Sequence, residues 1–224
     1  RDTGFARINF GVQTLDPALY AFHHHGEEVE VAVAALRRAR EAGYAWINID
    51  LMIGLERETH ESWDRTLARC SELIRQGLVD SVFVYPFHDD PRSRTYQHDG
   101  LCPAPLDVFW ADAQARQHFE ALGWLELGPR FYRSPAHAAC EFNEVVRLKV
   151  VPGYGDTLWL GFGNSAYSVA VQSTYLNVRD AERYSERVEA GEFAIEYFRT
   201  MDRRQKAARD LKLALLYAPW VEGG

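Results

Sequence analysis

The sequence predicts an α/β fold, with β/α units laid on a parallel sheet or barrel and a smaller α+β region after them. Three observations carry that prediction. Strand-like and helix-like stretches alternate up to Phe87, with strands recurring at intervals of about 35 to 40 residues. The run Trp46, Ile47, Ile49, Leu51, Ile53 has the β-branched, near-continuous apolar character of a parallel strand covered on both faces. From residue 88 to 100, HDDPRSRTYQHDG, polar and turn-forming residues replace the periodic pattern.

Taken in order, Ala6 to Phe10 reads as a short strand ending at Gly11. Asp16 and Pro17 then provide a helix cap and a first helical position. Val29, Val33, Leu36 and Ala39 recur at helical spacing, and Gly43 stops that helix. After the central strand, Thr59 opens a helix striped by Trp63, Leu67, Cys70 and Ile74 and ended by Gly77. A third strand runs from Ser81 to Tyr85. Beyond the polar stretch, a helix is expected from Pro105 to Leu122, and WLELGPRFYRS reads as strand, Gly-Pro turn and short aromatic strand. Val145 to Val151 is a further strand by its β-branched content, and TLWLGFGNSAYS a strand running into a glycine-rich turn. Two helices close the chain, one striped by Ala181, Tyr184 and Val188 and stopped by Gly191, the other by Ala207, Leu211 and Leu215.

At 224 residues, 47% hydrophobic and 13% aromatic, the chain can bury the core of one large or two modest domains. Its formal net charge of -7 argues against a broad nucleic-acid or anionic-membrane surface. No apolar run approaches a membrane span and the N-terminus lacks signal-peptide character, so a soluble protein is expected. The first residue is not Met, which points to a piece of a longer chain. Cys70, Cys102 and Cys140 form no CxxC or CxxxCxxC cluster and fit a reducing cytoplasm. Cys70, on an apolar helix face, reads as a small core residue.

The strand order places Gln13, Asp50 to Met52 and Tyr85 to His88 at or past the C-terminal ends of three successive parallel strands, the edge where such folds bind ligands. Asp50 interrupts a buried strand, so it is either a satisfied structural carboxylate or a site residue, and spacing alone favours the first. His23, His24 and His25 are adjacent on a helix end and diverge, which disfavours a metal site. GFGNSAYS lacks phosphate-loop spacing, and its glycines suit a tight turn or close backbone approach. Arg130 and Arg133 either hold substrate carboxylates or are exposed hairpin charges. Tyr85 and Phe87 can stack on a planar substrate, although strand aromatics are more often core.

INIDLMIGLERET, at Ile47 to Thr59, resembles the INIDLIxGLPxQT stretch of the oxygen-independent coproporphyrinogen III oxidase-like branch of radical S-adenosylmethionine enzymes. GVQTLD at Gly11 to Asp16 is similar to GVQSFD, VFVYPF at Val82 to Phe87 to the sixth strand, and GWLELGPRFYRS to GYxxYxxxxFA. LGFGNSAYS at Leu160 to Ser168 resembles LGxGxxAxS, and STYLNVRDAERY resembles RxxNxxxxxxY. The resemblance implies the second half of a partial parallel β/α barrel over residues 1 to 95, beginning at its fourth strand. A smaller α+β substrate-covering domain follows over residues 96 to 224. It further implies that the CxxxCxxC segment for a 4Fe-4S cluster lies outside this chain, which alone would expose its first strand and be inactive.

Residue by residue, the resemblance makes Gln13, Asp50, Met52 and His88 contacts of S-adenosylmethionine, with His25 where the family has an arginine. Tyr85, Phe87, Arg130 and Arg133 become candidate substrate contacts. Glu56 replaces the proline of GLP, and the stretch before LGFGNSAYS lacks the His-Arg-Asn and His-Asn-x-x-Tyr-Trp elements of the oxidases and haem chaperones. The implied activity is hydrogen abstraction from a tetrapyrrole or related planar substrate by a deoxyadenosyl radical, with a flavodoxin or ferredoxin as electron donor. The alternatives within the resemblance are methyl or methylene transfer to a heteroaromatic substrate and haem carriage without catalysis.

Overall fold

The computed structural model describes residues 4–23, 26–87, 105–126, 130–137, 160–170 and 172–217. By contacts the chain divides into two compact units, Arg1–Ala139 and Cys140–Gly224.

The first unit carries a five-stranded sheet in the order β1-β2-β3-β5-β4, with β1 at one edge. Strands β1 (Arg7–Gln13), β2 (Trp46–Ile53) and β3 (Ser81–Pro86) are parallel. The hairpin of β4 (Leu125–Glu126) and β5 (Phe131–Arg133) adds antiparallel to β3. Between them run α1 (Pro17–His23), α2 (Val29–Glu41), α3 (His60–Arg75) and α4 (Pro105–Ala121). This division falls later than a boundary at residues 95 and 96, because β5 pairs with β3 and α4 buries Ala111, Ala115 and Phe119 in the first unit's core.

Local sequence fixes the element ends. Asp16 Oδ1 accepts from the Leu19 N–H at 2.9 Å, capping α1 as its spacing suggests. At α3, Thr59 and Ser62 form a reciprocal capping box, with the Ser62 N–H on Thr59 Oγ1 at 3.2 Å and the Thr59 N–H on Ser62 Oγ at 2.8 Å. Gly43 and Gly77 adopt φ of +90° and +69° just past α2 and α3, values that favour glycine. Strand β1 runs on through Gly11 to Gln13 rather than stopping at Phe10, because its pairing with β2 persists to that point.

Alternate residues of β2, Ile47, Ile49, Leu51 and Ile53, are fully buried with Val33 and Leu36 of α2 and Trp63, Leu67, Cys70 and Leu73 of α3. Each such aliphatic side chain contributes about 1.5–3 kcal/mol on burial.

The second unit contains an antiparallel sheet of β6 (Tyr167–Val169), β7 (Ser173–Asn177) and β8 (Ile195–Thr200), with α5 (Ala181–Glu189) and α6 (Arg203–Tyr217). The sequence reading has both helices but neither β7 nor β8. Asn177 Nδ2 donates to the Gly161 and Gly163 carbonyls at 3.2 and 2.9 Å, and Tyr184 Oη accepts from the Gly163 N–H at 3.0 Å. These two side chains pin the glycine-rich turn. A Cβ on Gly161 would stand 2.7 Å from the Tyr167 carbonyl oxygen, so close backbone approach requires glycine there. The strand expected at Val145 to Val151 lies outside the described residues, as do Cys102 and Cys140. No helix among the described residues is long and apolar enough to cross a membrane.

Candidate functional site

Alternation turns Asn48, Asp50 and Met52 to the face of β2 opposite the helices. Register sets Gly11 of β1 beside Asp50, and Ser81, Phe83 and Tyr85 of β3 beside Asn48, Asp50 and Met52. Beyond β3, Arg133 and Phe131 of β5 lie opposite Ser81 and Phe83. One sheet face therefore gathers Gly11, Asp50, Met52 and Tyr85, three of them expected site or substrate residues.

Gln13 joins them through a backbone irregularity. Its φ is +67°, and the Thr14 N–H donates to the Val12 carbonyl at 2.8 Å, closing a γ-turn as the β1–β2 register shifts. A non-glycine residue in that region is strained and persists only where its surroundings hold it. Here Thr14, Leu15 and Asp16 are all buried. Thr14 Oγ1 bonds Thr66 Oγ1 at 3.0 Å, and Arg65 Nε donates to Asp16 Oδ2 at 2.6 Å. The turn swings the Gln13 amide back over Gly11, where a Cβ would stand only 2.8 Å from Gln13 Nε2.

Asp50 is half-buried, and Asn48 Nδ2 donates to its Oδ1 at 2.8 Å. Burial pushes its carboxyl above the usual carboxylate range, against the lowering effects of the Asn48 hydrogen bond and the Arg7 guanidinium. It is thus a carboxylate with one oxygen held by Asn48, on the strand face that also carries Met52.

Tyr85 is 44% exposed and stacks on Phe83 at 5.5 Å between ring centroids, and Phe83 stacks on Phe131 at 4.1 Å. Phe87 follows β3, half-buried, its N–H donating to the Ile53 carbonyl at 2.8 Å. Neither hairpin arginine is an exposed charge. Arg130 Nε donates to Asp112 Oδ1 of α4 at 2.8 Å, and Arg133 is only 5% exposed on the sheet face that carries Ser81. His25 and His88 lie outside the described residues. His23 bonds the Glu56 carbonyl at 3.1 Å through Nε2.

A cleft of about 450 Å³ opens between the loop Gly54 to Thr59 and the starts of α3 and α4, lined in part by Trp63, Asp107 and Trp110. Glu58 sits within it. Its Oε2 accepts from the Gly54 N–H at 2.5 Å, Oε1 is buried without a hydrogen-bond partner among the described residues, and burial pushes the carboxyl up to about 7. The signal was present in INIDLMIGLERET, where Glu58 stands at the Gln of the xQT ending. Asn48 and Gly11 were also legible as neighbours of Asp50 and Gln13 by period-2 spacing.

An amide, a carboxylate and a thioether on one face suit a ligand with hydroxyl, ammonium and apolar parts. They do not suit an iron–sulfur cluster. Among the described residues no three His, Cys, Asp or Glu side chains converge, and burial pushes the Cys70 thiol up to about 12, away from the thiolate that iron requires.

No family model matches the chain. It is 30% identical over 196 residues to the oxygen-independent coproporphyrinogen III oxidase of Escherichia coli K12, covering 84% of this chain and 42% of that protein. The enzyme of the same name from Salmonella typhimurium is 30% identical over 231 residues, 96% of this chain and 48% of the other. That of Helicobacter pylori J99 is 36% identical over 202 residues, 87% and 43% respectively. The solved coproporphyrinogen III oxidase of Escherichia coli, described as a radical SAM enzyme, superposes with a TM-score of 0.72 at 25% identity, over 96% of this chain and 50% of that one. The chain spans about half the length of the curated relatives it matches.

Proposed function

We propose that this chain, a homologue of the oxygen-independent coproporphyrinogen III oxidases over about half of their length, supplies part of the S-adenosylmethionine pocket of a radical enzyme acting on a tetrapyrrole. The observation that carries the reading is the Gln13 amide, turned by a strained backbone over Gly11 into the company of Asp50 and Met52.

Gln13 can donate through Nε2 and accept through Oε1, so it can hold a ribose hydroxyl. Asp50 accepts from a hydroxyl or an ammonium group, and Met52 offers a polarisable apolar wall. His25 and His88 complete the nucleoside contacts in this reading. Tyr85 and Phe87 face the planar substrate in this reading, and Arg130 and Arg133 of the hairpin are the candidate partners of its carboxylates. In this reading the parallel strands within residues 1 to 95 act as barrel half and the chain from 96 onward, which begins with the helix α4 and the hairpin packed on that sheet, as substrate cover. When bound, S-adenosylmethionine would supply a hydrogen-abstracting radical after reductive cleavage at a 4Fe-4S cluster, fed by a flavodoxin or ferredoxin. The share of these residues is to orient the nucleoside and exclude water.

The test is titration of the chain with S-adenosylhomocysteine, followed by backbone and side-chain NMR. Shifts centred on Gln13, Asp50 and Met52, lost in Asp50→Ala, support the pocket. Saturable binding that leaves those residues unperturbed, or none at all, rejects it.

A further inference from the structure

Asp50 is the end of a longer arrangement. Trp46 Nε1 lies 2.6 Å from Ser81 Oγ, Ser81 Oγ 2.6 Å from Asn48 Oδ1, and Asn48 Nδ2 2.8 Å from Asp50 Oδ1. Trp46 is 2% exposed, and Ser81 and Asn48 are fully buried, so water does not substitute for any link. We infer that Trp46, Ser81 and Asn48 are positioning residues, a one-way hydrogen-bond relay that fixes Asp50 Oδ1 as its terminal acceptor and leaves Oδ2 to face the ligand.

The direction follows from the first group. An indole N–H donates and cannot accept, so Ser81 Oγ must be its acceptor. The serine proton is then free for Asn48 Oδ1. With its oxygen engaged, the Asn48 amide has only its amino group to turn towards Asp50. The amide orientation is thus set by Ser81 on the neighbouring strand and, through it, by Trp46 two residues earlier on β2. Polarised in one sense, the links strengthen one another in a low-dielectric interior.

Without the indole or the serine hydroxyl, Asn48 can rotate and present its carbonyl to Asp50. Two oxygens in contact tolerate each other only when one carries a proton, so the carboxyl is driven towards its neutral form. The charged group that bears on Asp50 from the packed strands is Arg7 on β1, whose guanidinium lies 5.6 Å from the Trp46 ring centroid, while Arg133 on β5 stands opposite Ser81 in register. The β3 residues on this face beyond Ser81 are the aromatic Phe83 and Tyr85.

The relay rests on the proposed pocket only for the use made of Oδ2, so its test needs no ligand. The carboxyl carbon of Asp50 is followed by NMR through a pH titration of the full chain, in the parent and in Ser81→Ala, Ser81→Thr, Trp46→Phe and Asn48→Ala. Ser81→Ala, Trp46→Phe and Asn48→Ala are expected to raise the apparent pKa by roughly half a unit or more, about a threefold fall in the acid constant, with Ser81→Thr close to the parent. A mere packing role for Ser81 would leave the titration where it is. If Ser81→Ala stays folded by circular dichroism with an unmoved Asp50 titration, the relay is overturned. Should Trp46→Phe fail to fold, the Ser81→Ala and Ser81→Thr pair decides. A relay that shifts as expected in a chain that never binds S-adenosylhomocysteine sustains this inference and removes the pocket.

Discussion

The two faces of β2 are made from alternate residues of one eight-residue strand, and they obey different rules. On the helix side, Ile47, Ile49, Leu51 and Ile53 are fully buried aliphatics whose contribution is volume and area removed from water. On the other, Trp46, Asn48 and Asp50 are joined by directional hydrogen bonds through Ser81, where geometry and proton count matter more than volume. The comparison separates stability from chemistry along a single strand. Substitutions on the first face should change folding without retuning the site, and those on the second should retune the site.

The largest expected effect tests the first half of that contrast. Ile49→Ala should cost about 2–5 kcal/mol in urea unfolding and Ile49→Val about 0.5–1.5, with ligand affinity of the folded protein unchanged. A large loss of affinity in Ile49→Val would blur the two faces.

Glu58, past the end of the strand, extends the contrast to pH. Its folded carboxyl is raised to about 7 by burial, above the ordinary value of 4.5. The unfolded chain therefore loses this proton first, and stability falls as pH rises from about 4.5 through about 7. Glu58→Gln should remove that slope and gain on the order of 2 kcal/mol at pH 8, with little change at pH 4, as read by denaturation at both values. An unchanged slope would show the carboxyl to be ionised without cost.

On the polar face, Asp50→Asn should lower affinity for S-adenosylhomocysteine roughly tenfold while the midpoint of thermal unfolding rises, because a carboxyl raised by burial destabilises the folded chain once ionised. In the parent, affinity should fall as pH drops towards the raised Asp50 value, and that dependence should vanish in the variant. The smallest effect is expected at Gly11. Gly11→Ala adds a methyl where the Gln13 amide rests, so binding should weaken severalfold with stability changed by less than about 1 kcal/mol. Loss of folding instead would mean that the γ-turn, and not the amide, depends on the glycine.

The elements of the first unit were legible because their signals are local. Asp16 and Thr59 cap helices, Gly43 and Gly77 end them, and the apolar positions of α2 recur at helical period. Strands β7 and β8 were not legible. In EYFRT of β8, charged residues flank two exposed aromatics, Tyr197 and Phe198, so no apolar alternation marks the strand, and pairing between β7 and β8 alone gives it away. Arg130 and Arg133 looked alike in GPRFYRS. The hairpin's return onto β3 ties one to Asp112 and buries the other.

By itself, then, the sequence determined the order of β/α units, the strand that carries Asp50 and the strand-end edge at which Gln13, Asp50 and Tyr85 collect, since these follow from periodicity and chain direction. Tertiary structure alone decided that Ser81 reaches Asn48, that the Gln13 amide folds onto Gly11 and that burial raises the Glu58 carboxyl to about 7. Each depends on a register, a turn or a desolvated pocket made by parts of the chain brought together in folding, and no local pattern encodes the distance between them.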